Sequence, residues 1–386
     1  MDKKKIIMPC LVALGLLTGV LGQRYLRPQT QQEEAVANST ASELSSDAFS
    51  LRFFQHGLKE KETGNVLVAP HCITNALLSL QDIAAGRTRE ELQALQLKES
   101  RVLRATEPLS TALLGVDLNL PRKEGRFPAM PLPFSENVPM ALSLFNGSIG
   151  AAMGKGEFQL VDSKMVTERT KLLAAATASF SAEWETPFNS ANSRTADFDS
   201  ASGGMPHFRQ MRSRGQFRSA KAEDGSWKAV AIPFKSKAAG EPLVCIGILP
   251  AGSARDFAAN LTPEMLTGIR KSLAEASPQD MLVELPLLEL QIFPYDMRDS
   301  LRRLGLKALF DIETADFSPL TPEKIHLGAF IHSVSLSLVE SKDSAKADDS
   351  LDYAPEYISF NRPYIWLIAD LATDTPIDFI GLTEEM

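Results

Sequence analysis

Phe49, Phe53, Phe54 and Leu58 recur at three- to four-residue spacing, the period that puts an apolar stripe on one side of a helix. Asn65 to Ala69 reads as a short apolar strand, stopped by Pro70. Helical spacing returns over Ile73 to Ala84, with Gly86 as the terminating residue. Thr88 with Glu91 three positions on predicts a capping box that opens the next helix. Leu172 to Trp184 is apolar and rich in small residues, the pattern of a long central strand. Leu243 to Leu249 predicts a fully buried strand closed by Pro250-Ala251-Gly252, and Val283 to Leu290, which alternates imperfectly, a further strand. Met297 to Leu304 is a helix ended by Gly305. Ile331 to Val339 alternates with serine at 333, 335 and 337, so one face of that strand is polar or tightly packed. Tyr364 to Leu371 and Phe379 to Leu382 are two closing strands. Strands and helices mix without βαβ alternation, which predicts an α+β fold with large antiparallel or mixed sheets.

The start of the chain departs from this pattern. Lys3, Lys4 and Lys5 precede an uncharged apolar run from Ile6 to Leu21, the arrangement of an export leader. Val20 and Gly22 are small enough for cleavage after Gly22; the alternative is an uncleaved membrane anchor over residues 1–22. A lipid anchor on Cys10 fits less well, because Pro9 precedes it. Residues 23–46 lack the apolar content to order themselves and read as a polar tether, leaving 47–386 as the folded domain. Export to the extracellular space or periplasm, or tethering on the outer side, follows from the leader. Any membrane contact is then through the leader alone.

Composition narrows the chemistry. Hydrophobic residues make up 44% of the 386 and charged residues 23%, as in a soluble globular protein. The net charge of -8 argues against general nucleic-acid binding. Besides Cys10 there are two cysteines, Cys72 and Cys245, which read as small core residues rather than a bridge. Five histidines (56, 71, 207, 326, 332) are scattered, and none stands at a known metal-ligand spacing, although His326 and His332 would share one strand face. Gly147-Ser148-Ile149-Gly150 lacks one glycine of a nucleophile elbow and reads as a turn, as does Gly154-Lys155-Gly156. Asn38-Ser39-Thr40 and Asn146-Gly147-Ser148 match the glycosylation pattern. Arg209, Arg212, Arg214, Arg218 and Lys221 form a basic stretch, read either as a solvated strand pair or as a polyanion site. No constellation of an enzyme's own catalytic centre, metal or cofactor emerges.

Several separated segments resemble the serpin family. Asn65-Val66-Leu67-Val68-Ala69-Pro70 resembles its N-I-x-x-S-P segment, and Gly86 to Leu92 its G-x-T-x-x-E-L turn. Phe180, Trp184 and Pro187-Phe188 resemble the strand ending F-x-G-x-W-x-x-P-F. Met211 to Phe217, Ile232-Pro233-Phe234, Ile248-Leu249-Pro250, Leu285-Pro286, Tyr295-Asp296-Met297 and Leu304-Gly305-Leu306 follow in family order. Phe310, Ala315-Asp316-Phe317-Ser318, Phe360, Arg362-Pro363-Tyr364 and Phe379-Ile380-Gly381 complete the set. Number, order and spacing over 47–386 make the resemblance specific. It implies one domain of three β-sheets with about eight or nine helices and an exposed reactive-centre loop. The implied function is inhibition of a serine or cysteine endopeptidase by a monomer, in which the cleaved loop inserts as a new strand of the main sheet.

By the resemblance, the loop follows Glu340 and spans about 341–359, with Leu351, Asp352 and Tyr353 as candidates for the scissile region. The hinge departs from the family pattern: Lys342 stands where a glycine is expected. In the family register Asp343, Ala345, Ala347 and Asp349 would point inward on insertion, and a one-residue slip would turn Ser344, Lys346 and Asp348 inward instead. Either way charges are buried, at several kcal/mol for an unpaired carboxylate. From Glu340 to Phe360 the loop is also shorter than usual by about four residues, at roughly 3.3–3.6 Å of reach each. Beneath the loop, the resemblance implies a shutter at Ala69, Cys72, Ala176 and His332 and a breach at Trp184. Ala69 and Cys72 replace two serines and Ala176 an asparagine, depleting the hydrogen-bond network there. The charged hinge and short loop leave a second reading open: a serpin-fold binding or scaffold module that no longer traps proteases.

Overall fold

Four alanines in the central strand let layers approach closely on both of its faces, and the rest of the molecule is arranged around that strand. The structure is a computed structural model and describes residues 47–97, 109–123, 125, 129–155, 158–235, 242–341, 346–372, 375 and 377–386. The leader, the tether, and Lys342, Asp343, Ser344 and Ala345 of the hinge lie outside the described residues. In chain order the first elements are α1 (Asp47–Glu60), β1 (Val66–Val68), α2 (Pro70–Ile83), α3 (Gly86–Gln93), β2 (Leu109–Asp117), β3 (Ala129–Leu132), α4 (Val138–Ala152) and β4 (Leu172–Ser181). There follow β5 (Arg194–Asp197), β6 (His207–Lys221), β7 (Trp227–Pro233), β8 (Val244–Pro250), α5 (Ala254–Asn260) and α6 (Pro263–Glu275). The last are β9 (Gln279–Pro286), β10 (Leu288–Asp296), α7 (Arg298–Arg303), β11 (Ala329–Leu338), β12 (Glu356–Ser359), β13 (Tyr364–Ala369) and β14 (Phe379–Thr383).

The five-stranded main sheet runs in the order β10-β11-β4-β2-β3. Its centre is a parallel pair, β4 with β11, in which Ala176 stands opposite His332 and Ser179 opposite Ser335. Antiparallel partners flank that pair, β10 on one side and β2 on the other. The two-residue period sends Leu172, Ala174, Ala176, Ala178 and Phe180 into the large core together with Phe330, Val334 and Leu336. Leu173, Ala175, Ala329 and Ile331 take the opposite face and pack under α4 with Phe145 and Ile149. Helix α4 starts where the Asn137 side chain accepts from the Met140 backbone N–H, with Pro139 in its first turn.

Eight of the other nine strands form one hydrogen-bonded path, β1-β14-β13-β8-β7-β6-β9-β12, and β5 joins it at β6. The first part of β6 pairs with β5 and β9, and Arg218 to Lys221 pair with β7. Strand β12 is added in parallel to β9. The path therefore makes two sheets sharing one strand, and with the main sheet the three expected are present. Close approach is enforced at Gly381 in β14, where a Cβ would lie 2.3 Å from the indole of Trp366.

Several local expectations change. Thr88 is not a cap: α3 begins at Gly86 with Ala85 before it, and φ is +47° at the glycine. The Thr88 hydroxyl instead accepts from Asp316 N and the Glu91 carboxylate from Ala308 N, so both side chains bond distant backbone. The stretch Val283 to Leu290 is two strands in different sheets, broken at Leu287: Pro286 still pairs with Gln210 and Leu287 N donates to the Arg209 carbonyl, after which the chain passes into the main sheet. Gly147 to Gly150 is inside α4, where a buried Gly150 admits the chain at Lys155 and Phe158. Asn146 spends its amide on Val161 and Leu160, donating to one carbonyl and accepting two N–H groups. His326 precedes β11 and shares no strand with His332.

Candidate functional site: the β11–β12 connection and the sheet beneath it

His332 sits on the inner face of β11, 1% exposed. Its Nδ1 is 2.9 Å from the Ala176 carbonyl oxygen, which can only accept, so Nδ1 carries the proton. That leaves Nε2 as a buried acceptor with no hydrogen-bond partner among the described residues. Burial, set against the Ala176 bond, brings the pKa of His332 down from 6.5 to about 4. The Cys72 sulfur is 3.9 Å from Nδ1 and bonds the Ala69 carbonyl oxygen at 3.3 Å. The Tyr295 ring meets the imidazole edge-on at 5.9 Å between centroids. Ala69, Cys72, Ala176 and His332, far apart in sequence, are thus one contiguous cluster under the central parallel pair. Cys72 and Cys245 are both free and buried, and burial raises both thiols, Cys245 to about 12.

Trp184 lies beyond the end of β4. Its indole stacks on Phe234 at 4.6 Å and tilts against Phe188 at 5.1 Å, and its N–H donates to the Val339 carbonyl at 2.9 Å. This fastens the chain as it leaves β11. One residue on, the Glu340 carboxylate accepts from Arg209 (2.7 Å) and from the Ser193 hydroxyl (2.6 Å). Partial burial raises the Glu340 pKa, but the Arg209 and Ser193 bonds outweigh it and hold the carboxyl below its usual range. Ser341 N donates to the Phe188 carbonyl at 2.7 Å.

From Lys346 the chain lies along β6 and its neighbours, held at several points. The Asn189 amide donates to the Lys346 carbonyl (3.2 Å) and Asp348 N to the Asn192 side chain (2.8 Å). Arg214, bonded to Asp280 at 2.8 Å, also donates to the Ser350 carbonyl at 2.6 Å. A single 3-10 turn follows over Leu351–Tyr353. Its three side chains part ways. Leu351 is buried, 3% exposed, and Asp352 pairs with Arg212, whereas Tyr353 is 81% exposed. Ala347 and Asp349 face solvent. Arg194, Arg212, Leu282, Glu284, Tyr357 and the turn itself line a cleft of about 200 Å³.

Glu284 was not flagged by sequence, and it anchors this corner. It is 1% exposed and accepts from Arg194 (2.9 Å), Arg212 (2.8 Å) and the Tyr357 hydroxyl (2.9 Å). In sequence it is one acid among 48 Asp and Glu, and only the β6–β9 register, which sets Arg212 opposite Glu284, reveals the pair. The basic stretch is committed in the same way: Arg209, Arg212 and Arg214 are ion-paired, and Arg218 donates to the Ala274 and Ala276 carbonyls. A polyanion would have to displace these partners. Among the described residues no group of His, Cys, Asp or Glu is placed to hold a metal, and no helix is long and apolar enough to cross a membrane.

Comparison with known proteins matches this architecture. The chain is 25% identical to guinea-pig (Cavia porcellus) alpha-1-antiproteinase S over 86% of its length and 88% of that protein's. It is 23% identical to mouse (Mus musculus) serpin B5, covering 88% and 98% respectively. Among solved structures, maspin superposes with a TM-score of 0.76 at 20% identity, over 89% of this chain and 98% of that one. Uncleaved ovalbumin gives 0.74 at 17% identity, over 89% and 100%. The family model described as Serpin (serine protease inhibitor) matches residues 153–384, which takes in β4, β11, the connection to β12 and the closing strands, and the chain belongs to the serpin family.

Proposed function

We propose that the chain inhibits a serine- or cysteine-type endopeptidase by offering residues 341–359 as bait, and that it has no catalytic centre of its own. The observation that carries this reading is the bare parallel pair at the centre of the main sheet. A strand lying between β4 and β11 would run antiparallel to both, and a connection folding back from the end of β11 has that direction. Insertion would exchange one parallel pairing for two antiparallel ones, with a gain in stability. A role for Ala69, Cys72, Ala176 and His332 in parting β4 from β11, and for Trp184 at the top of the gap, belongs to the same reading. So do the leader over 1–22, the tether over 23–46, export, and action as a monomer on one protease at a time.

The hinge favours a second reading, a serpin-fold module that binds without trapping. Asp349 enters the sheet in the family register, and Leu351 and Asp352 are already engaged by β6 and β9. The two readings separate in a thermal melt of residues 47–386 before and after nicking between Ser350 and Tyr357. A rise of tens of degrees on nicking supports insertion and trapping. An unchanged melt supports the binding module.

A further inference from the structure

We infer that Tyr353 is the side chain this chain presents to its target, and that the target has a deep apolar pocket for aromatic residues and a basic rim. The inference rests on the bait reading above, since it names the class of protease that would take the bait.

Exposure and the state of its neighbours both single out Tyr353. Among the described residues it is the most exposed large hydrophobic side chain, at 81%. A large, uncharged ring held in water gains most from transfer to an apolar pocket, and aromatic anchors dominate such interfaces. Its neighbours are unsuited to the same role. Leu351 is packed away at 3% exposure and Asp352 is paired to Arg212. Tyr357 donates to Glu284 and sits in β12, whose backbone is paired to β9, so it cannot be drawn into an extended segment across a protease cleft. Lys346, the residue a basic-specific protease would take, stands only six positions after Glu340, next to the point where Asn189 holds the chain.

The turn under Tyr353 is fixed from both sides. Tyr353 N donates to the Ser350 carbonyl (3.1 Å) and Ala354 N to the Leu351 carbonyl (3.3 Å), while Arg214 holds the Ser350 carbonyl. The turn displays the ring on the intact surface, but it is not the extended form that a protease binds, so docking has to open it. A protease takes its substrate extended, so docking would draw Asp352 off Arg212 and Leu351 out of its seat. Between 346 and 357 there are four carboxylates, Asp348, Asp349, Asp352 and Glu356, against one lysine. This collar steers a cleft with a basic rim and repels an acidic one, and it makes the encounter salt-sensitive.

The test uses the intact chain with chymotrypsin, trypsin and elastase as probes, and mapping of cut bonds by mass spectrometry. Chymotrypsin should cut, or be captured, at the bond after Tyr353 at least about tenfold faster than trypsin or elastase cuts anywhere from 346 to 357. Tyr353→Ala should remove that event, and Tyr353→Phe should keep it. Raising salt from 50 to 500 mM should slow capture by a basic-rimmed protease more than cleavage of an uncharged peptide. Arg212→Ala should speed cutting at the same bond without moving it. First attack after Leu351, Tyr357 or Lys346, or equal attack on Tyr353→Ala, would overturn the assignment. Capture of a protease at another bond overturns Tyr353 and leaves the inhibitor reading standing. Clean cutting after Tyr353 with no captured protease and no rise in melting temperature leaves Tyr353 standing and removes the inhibitor reading.

Discussion

At the residue scale, His332 ties the centre of the main sheet to pH. Its imidazole is neutral when folded because burial has brought its pKa to about 4, against 6.5 in an open chain. Between those values the unfolded chain binds more protons than the folded one, so stability falls as pH drops from about 6.5 to about 4. The loss levels off below the folded value, where both states are protonated, and amounts to up to about 3 kcal/mol. Melting temperatures from pH 7 to pH 4 should therefore decline less steeply in His332→Gln than in the unmodified chain. Parallel declines would assign the effect to other groups. Trp184 makes a different kind of contribution, one indole N–H and two ring contacts at the exit from β11. Trp184→Phe keeps part of the packing but leaves the Val339 carbonyl unpaired, for a cost of about 1–3 kcal/mol. Hydrogen exchange should then quicken first at Val339 to Ser341. Loss confined to regions away from β11 would contradict the fastening role.

At the scale of elements, the connection after β11 is a clasp rather than a free loop. Arg212 is its central pin, 12% exposed, reaching both the buried Glu284 and Asp352 of the turn. Its two bonds differ in worth. Asp352 is 75% exposed, and a pair of that kind contributes about 0–1 kcal/mol. Removing Arg212 instead takes one of two arginines from the buried Glu284, which keeps Arg194 and Tyr357, so the cost exceeds that of the exposed pair but stays below the about 3–5 kcal/mol of a buried charge left with no partner. Asp352→Asn should thus loosen residues 348–354 to limited proteolysis with little change in melting temperature, whereas Arg212→Ala should do both. Equal destabilisation by the two would mean that the pair with Asp352, not the one with Glu284, holds the corner. None of this was readable in the chain. The helices α1 and α2, the buried β8 and the closing strands were legible because one period runs through each. The cluster of Ala69, Cys72, Ala176 and His332 was legible only through resemblance, since the β4–β11 register sets Ala176 opposite His332 and the start of α2 packs Ala69 and Cys72 beneath them. Helix α4 was hidden because its glycines at 147 and 150 imitate a turn, and β9 and β10 merged because one residue separates two strands of different sheets. The clasp was invisible for the same reason as Glu284: long-range charge pairing leaves no local pattern.

At the scale of the whole molecule, the open question is whether the sheet takes in its own loop, and charge decides it. In the family register, insertion would send Asp349, and Asp343 from the hinge, to the face that carries Ala174, Ala176, Ala178, Val334 and Leu336. A buried, unpaired carboxylate has its pKa raised, so the inserted state binds more protons than the uninserted one, where Asp349 is in water. Protonation relieves the cost of burying an unpaired carboxylate, so insertion becomes more favourable as pH falls. The loss from His332 runs through much of the same range, from about 6.5 to about 4, but it acts on the intact and the nicked chain alike and so cancels in the difference between them. The nicked chain should gain more in melting temperature at pH 5 than at pH 7.5, each relative to the intact chain. Lys342→Gly with Asp343→Thr and Asp349→Ala should gain at both values and lose the pH dependence. If that triple variant, once nicked, still melts with the intact chain, the hinge charges are not what holds the loop out. The shorter span from Glu340 to Phe360, or the clasp on β6, would then be the barrier, and adding Arg212→Ala to the triple variant separates those two: a restored gain assigns the barrier to the clasp, and no gain assigns it to length.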